Sequence, residues 1–259
     1  NLSDSFFNSL RENYPSFDQW FGRKSDETAY ACFEGDHLIA FLYLKLEDKR
    51  ETYNDISPTF SPKRRLKIGT LKVELNGFKL GERFLKIIFD NAIKQGVDEV
   101  YVTIFPNSSE KERLINLFED FGFALQGEKH NSFGNEQVYV RDMTARFNQM
   151  DPKLTFPFVS RNARAFLVSI YPEYHTDLLP DSILRTESPD DFIESESHRN
   201  AIRKVFVSWS HFRDLVPGDI IIFYRTGGYH KSVVTTLGII DDMHLQIRSE
   251  EEFIRLCRK

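Results

Sequence analysis

The sequence predicts a mixed α/β domain built on a mixed central sheet, followed by a smaller strand-rich domain. Three observations predict it. Helical periodicity and strand alternation succeed one another between residues 2 and 143 in the order helix, hairpin, strand, helix, strand, helix, strand. Residues 145–164 then carry two prolines and little periodicity, which marks a linker. Beyond it, further apolar runs alternate with turns.

Composition agrees with two packed cores. The chain has 259 residues, and its 24 Phe and 10 Tyr supply ample aromatic area. The net charge of -5 excludes a whole-chain basic footprint for nucleic acid. From residue 151 onward there are 14 basic and 16 acidic side chains, so neither part is strongly biased. Two distant cysteines, Cys32 and Cys257, make no disulfide framework and no metal spacing, and a reducing cytoplasm is the expected compartment. No apolar run reaches the roughly 18 residues of a membrane span. The chain opens on Asn1, so further N-terminal residues are expected before it.

The elements follow in order. Leu2, Phe6 and Leu10 lie four apart on one helical face that Pro15 stops. Residues 29–33 and 38–46 form a hairpin around Gly35 and Asp36. Residues 64–75 alternate as a strand, with Gly69 as the bulge candidate. Residues 82–96 form an amphipathic helix with Phe84, Leu85, Ile88, Phe89, Ala92 and Ile93 on one face and Gly96 closing it. Residues 99–105 form a strand. Residues 108–123 form a helix in which Ser109 and Glu112 match a capping box, and residues 137–143 a last strand. In the second domain, strands are expected at 165–171, 202–209, 219–225 and 232–240. Irregular structure is expected at 172–197 and a helix from 250.

One turn carries chemistry. Between the strand at 64–75 and the next helix lies VELNGFKLGERF, residues 73–84. A strand leading through glycines into a helix N-terminus offers unpaired backbone N–H groups and a positive dipole end, which suits a pyrophosphate. Lys79 and Arg83 add positive charge. Neither a P-loop nor a dinucleotide GxGxxG is present.

This segment resembles the acetyl-CoA loop of the GNAT N-acetyltransferase superfamily, [Q/R]-x-x-G-x-[G/A]. Asn76 stands at the Gln/Arg position, Gly77 beside it, Lys79 at the first glycine and Gly81 at the last. LINLFEDFGF (114–123), EQVYVRDM (136–143) and the N-terminal helix with its hairpin resemble other superfamily segments in the right order. The resemblance covers about 140 residues and implies a GNAT fold, an acyltransferase activity and acetyl-CoA as cosubstrate. It places Asn76, Gly77, Phe78, Lys79, Leu80, Gly81, Glu82 and Phe118 around the cosubstrate, with the backbone of Leu71 and Val73 along its pantetheine arm. Phe118 stands where the superfamily often has an acidic tyrosine. Tyr139 and Tyr101 are the stand-ins for the acid, and Glu47 and Glu74 the candidates for the base that takes the amine proton. The amine acceptor is not readable.

Residues 206–240, with LVPGDIIIFY and TTLGII, resemble PUA-like domains, the group that includes ASCH and EVE domains. That likeness implies a small β barrel over residues 165–259. Basic and aromatic side chains interleave there: Arg203, Lys204, Trp209, Tyr224, Arg225 and Lys231. Such residues could meet RNA or DNA. No metal site and no membrane contact are expected. Two readings stay open: an active acetyltransferase targeted by its second domain, or a non-catalytic binding protein on a degenerate acetyltransferase fold.

Overall fold

The computed structural model describes residues 4–74, 79–144, 147–182, 200–208, 210, 212–227 and 233–258. The chain divides into two compact units, Asn1–Thr144 and Ala145–Lys259.

The first unit opens with a 3-10 turn at Ser5–Phe7 and two short helices, α1 (Asn8–Asn13) and α2 (Phe17–Gly22). Strands β1 (Tyr30–Glu34) and β2 (His37–Glu47) follow, then a two-residue β3 (Ile56–Ser57) and β4 (Arg65–Val73). Helix α3 (Leu80–Gln95) leads to β5 (Glu99–Ile104), and α4 (Ser109–Asp120) to the hairpin of β6 (Ala124–Asn131) and β7 (Gly134–Asp142). They make one seven-stranded sheet in the order β1-β2-β4-β5-β7-β6-β3. β4 and β5 pair in parallel and every other pair is antiparallel.

Side chains alternate across the sheet, and its two faces differ. One face carries Leu66, Ile68, Val100 and Val102 and is covered by α3 and α4, whose Phe84, Leu85, Ile88, Phe89 and Phe118 are buried. The other carries Tyr101, Val138 and Val140 beneath Tyr53, Ile56 and Phe60, while Phe41 and Tyr43 pack under Phe6, Phe7 and Phe17.

The hairpin turns at Gly35 with φ 58°, a conformation glycine adopts freely. Gly96 ends α3 in the left-handed region, at φ 59° and ψ 48°. Three details correct the sequence reading. Ile93 does not share the buried face of α3; it is 51% exposed. The cap of α4 is Ser108, whose hydroxyl accepts from the Lys111 amide, so the Ser109–Glu112 spacing lies one residue inside the helix. β6 was not expected, because its polar ALQGEKHN lies at the sheet margin and lacks apolar alternation.

The second unit holds a 3-10 turn at Pro152–Thr155, β8 (Ala165–Ile170), α5 (Pro172–Leu178), β9 (Ile220–Arg225), β10 (Val233–Ile239) and α6 (Glu250–Arg258). The strand order is β10-β9-β8, with β8 and β9 parallel. Leu179, Ile221 and Phe223 centre its core. The expected β barrel is not formed among the described residues: three strands make an open sheet. The expected strand at 202–209 is absent among its described residues. Val205, Phe206 and Val207 are largely exposed, and the Phe206 ring instead meets Phe223 edge-on at 5.6 Å. α5 occupies part of the segment read as irregular, with Pro172 in the helix's first turn, where a missing N–H costs nothing. No helix among the described residues is long and apolar enough to cross a membrane.

The turn before β9 is tied by Asp219, which accepts from the Val216 amide at 2.9 Å and from Arg164 Nε and Nη2 at 3.0 and 2.5 Å. Hydrogen bonding from Arg164 holds the Asp219 carboxyl below its ordinary range. A depressed folded pKa stabilises above the unfolded value and is lost as pH falls through the folded one. Asp219→Asn therefore lowers the melting temperature at neutral pH, and its deficit shrinks on acidification below the carboxylate range, as melting curves against pH will record. At Gly127 an added Cβ would sit 2.2 Å from the Ser57 carbonyl oxygen. Gly127→Ala should cost about 1–3 kcal/mol, read from a denaturant midpoint.

Candidate active site

The candidate site is the wedge where the two parallel strands part. β4 and β5 pair from Arg65–Glu99 to Ile68–Val102 and no further. β4 continues along β2 to Val73, and Thr103 and Ile104 of β5 continue along β7. From Gly69 to Val73 the edge of β4 that faces β5 has no strand partner among the described residues, which leaves its backbone groups for an extended ligand.

A bulge sets where this happens. Tyr43 of β2 stands opposite Thr70 and Leu44 opposite Ile68, so Gly69 is the extra residue. A Cβ there would lie 2.7 Å from Tyr43 Cδ1. A bulge adds twist and bends its strand, here one residue beyond the last β4–β5 pair.

Leu71 and Val73 lie half-buried on the open stretch. Asn76, Gly77 and Phe78 lie outside the described residues. Lys79 caps α3 with φ -70° and ψ 36°, so it needs none of the glycine geometry that its position in the resembling loop usually has. Leu80 is fully buried, and Glu82, in the first turn of α3, is 4% exposed. At Gly81 a Cβ would stand 2.8 Å from Leu117 Cδ2, so glycine there lets α3 approach α4.

On the face opposite these helices, Thr103 is the first residue of β5 past the parting point. Its hydroxyl donates to Glu136 Oε1 at 3.1 Å. Glu136, on β7, is 3% exposed. It also accepts from the Tyr14 hydroxyl at 2.5 Å and from Asn131 Nδ2 at 3.2 Å, and Lys129 Nζ lies 4.0 Å away. Burial first, and Glu136 second, push the Tyr14 phenol far up, so it remains a donor. Lys67 lies on the same face, with Nζ 5.6 Å from the Tyr101 ring centroid; burial, then Lys129, lower its pKa. Sequence reasoning did not single out Glu136 or Tyr14. The available signal for Glu136 was an acid in register with Val138 and Val140, the inward residues of the same strand.

The residues singled out from the sequence are dispersed. Leu71 and Val73 lie on the open stretch of β4, and Lys79 caps α3. Glu47 pairs across the sheet with Arg65, at the other end of β4, and is 3% exposed. It accepts from Tyr101 at 2.9 Å and from Tyr53 and Lys45 at 3.0 Å. Glu74 follows the last residue of β4, partly exposed, 3.8 Å from His37 Nε2. Tyr139 stands opposite Val102 on the helix-covered face; its hydroxyl donates to Gln137 Oε1 at 3.0 Å, and burial raises its pKa. Phe118 is fully buried, its ring 4.8 Å from that of Phe123, and offers no surface to a ligand. In the second unit, Tyr224 and Arg225 are consecutive on β9 and so point to opposite faces. Arg203 and Lys204 lie outside any strand, and Trp209 and Lys231 lie outside the described residues. The structure does not gather the described four onto one strand face.

No family model matches the chain and no curated protein matches it. Solved structures similar to part of this chain include the NatC complex bound to Gag peptide and CoA. It is 18% identical over 49% of this chain and 77% of its own, with a TM-score of 0.36. Arabidopsis thaliana Naa50 with a bisubstrate analogue is 21% identical over 44% of this chain and 72% of its own, at 0.34. Drosophila melanogaster polyamine N-acetyltransferase is 15% identical over 49% of this chain and 81% of its own, at 0.36.

The burial of Phe118 has a measurable consequence. Phe118→Tyr would place a hydroxyl among apolar rings and should cost about 1–3 kcal/mol. An unchanged denaturant midpoint would show that this position reaches water.

Proposed function

We propose that the first unit is an acetyl-CoA-dependent N-acetyltransferase of the GNAT type. The observation that carries the reading is the parting of β4 and β5 beyond Ile68 and Val102, with the open edge of β4 running towards the N-terminus of α3. An extended pantetheine arm would pair with the backbone of Gly69–Val73. Its pyrophosphate would meet the first amides of α3, where the helix dipole is positive and Lys79 adds charge.

The acceptor amine would approach from the Glu136 face. Its nitrogen attacks the thioester carbonyl, the C–S bond breaks, and CoA leaves as a thiolate. Glu136 takes the amine proton, directly or through a hydroxyl or water, while Tyr14, Thr103 and Asn131 keep the carboxylate oriented. Thiols are acidic enough, at about pKa 8.5, for the thiolate to depart without a strong acid. That matters because Phe118 cannot supply a proton. The burial of Phe118 also favours the second reading, a protein that binds acetyl-CoA without turnover.

Thermal shift and acetyl-transfer assays over a broad amine panel separate these readings. Acetyl-CoA and CoA should both raise the melting temperature; if neither does, the transferase reading falls. Lys79→Glu should weaken CoA binding about tenfold or more, the cost of a lost charge-assisted contact. Glu136→Gln should lower kcat about 100-fold with little change in acetyl-CoA affinity. Full activity in that variant would remove Glu136 from the proton path. CoA binding with no turnover on any amine would favour the binding protein.

A further inference from the structure

The face opposite α3 and α4 carries a lysine that the proposed acetyl transfer leaves unused. Lys67 pairs with Tyr101 across β4 and β5, one residue before the last pair, Ile68 and Val102. Two residues further along β4 stands Gly69, which has no side chain. Lys67 is therefore the last β4 side chain on this face before the strands part. Two residues of strand span roughly 6–7 Å, which the flexible four-carbon stem of a lysine about matches.

Among the described residues the Lys67 ammonium makes no hydrogen bond and no ion pair. It stands over the Tyr101 ring, with Nζ 5.6 Å from the centroid. The carboxylates of this face are engaged elsewhere. Glu47 accepts from Tyr101, Tyr53 and Lys45, and Glu136 accepts from Tyr14, Thr103 and Asn131. Lys45 of β2 is the directly opposite neighbour of Lys67 and has the same charge. Burial first, then Lys129 of β6, lower the Lys67 pKa, with Lys45 adding to this and Glu47 and Glu136 opposing it. A larger share of Lys67 is thus neutral amine, the form that attacks a carbonyl. The residue is half-buried and not sealed off.

We infer that Lys67 is a modification site, acetylated by the acetyl-CoA that the same chain binds. The inference rests on the acetyltransferase reading, which puts the thioester in the wedge. The neutral Nζ attacks the thioester carbonyl, the N–C bond forms and the C–S bond breaks. CoA leaves as a thiolate and takes up the proton that the nitrogen sheds. The product is an amide, so the chain loses a largely buried charge that no ion pair compensates.

The test incubates the full chain with isotope-labelled acetyl-CoA and no amine, then locates the label by peptide mass spectrometry. Lys67 should gain one acetyl group at least tenfold faster than the exposed Lys49 and Lys94, which report uncatalysed acetylation. Its rate should saturate with acetyl-CoA, stay independent of protein concentration and reach its plateau at a lower pH than theirs. Lys67→Arg should remove this fast phase and keep the rise in melting temperature with acetyl-CoA. Labelling of Lys67 no faster than of Lys49 and Lys94 would overturn the inference, as would a rate that grows with protein concentration. If acetyl-CoA still raises the melting temperature in that case, only the self-acetylation falls. If it does not, the acetyltransferase reading falls with it.

Discussion

The parting of two parallel strands is the constraint on which the first unit depends. β4 must satisfy β2 along its whole length, while β5 must satisfy β7. Their mutual pairing lasts only four residues. Gly69 makes this arrangement tolerable, since the extra residue bends β4 and the Tyr43 ring fills the space where a side chain would have been. The chain then has to cross from the open strand end to α3, which packs back over the sheet through Leu80, Phe84, Leu85 and Ile88. The apolar face of α3 thus fixes the helix against the sheet.

The face away from α3 is organised by carboxylates. Glu47 and Glu136 are both 3% exposed, and a buried charge survives only when hydrogen-bonded or paired. Glu47 draws in Tyr53 from the loop after β2 and Tyr101 from β5. Glu136 draws in Tyr14 from the segment after α1, 122 residues away in sequence. These contacts staple the irregular segments to the sheet. They also mean that the groups proposed for chemistry are held by the fold itself, with little freedom to relax.

Much of this was legible. Alternation and glycine placement located the hairpin, the bulge at Gly69 and the end of α3, because each depends on local backbone preference. Glu136 was not legible, since an acid within GNEQVYV reads as the polar start of a strand until its cross-strand neighbours are known. β6 stayed hidden for the converse reason: a marginal strand needs hydrogen bonds but little apolar surface. Glu47 reads as a candidate base near the end of the hairpin strand, and only the three-dimensional pairing with Arg65 places it at the opposite end of β4 from the wedge. In the second unit the apolar run at Val205–Val207 promised a strand, but such a run forms one only beside a receptive edge. Here its phenylalanine ring settles on Phe223 instead.

The sheet ends on β3, which covers only Glu128 and Lys129 of its eight-residue neighbour. Beyond those two residues, His130 donates its amide to the Asp55 carbonyl at 2.7 Å. The flank of β6 bears Glu128, Lys129 and His130, and Lys129 reaches Asp55 at 3.6 Å. Charged side chains and a very short cover strand discourage a foreign strand from extending a sheet. The short cover strand and the charged flank thus leave little of the β6 ladder open to a copy of the chain.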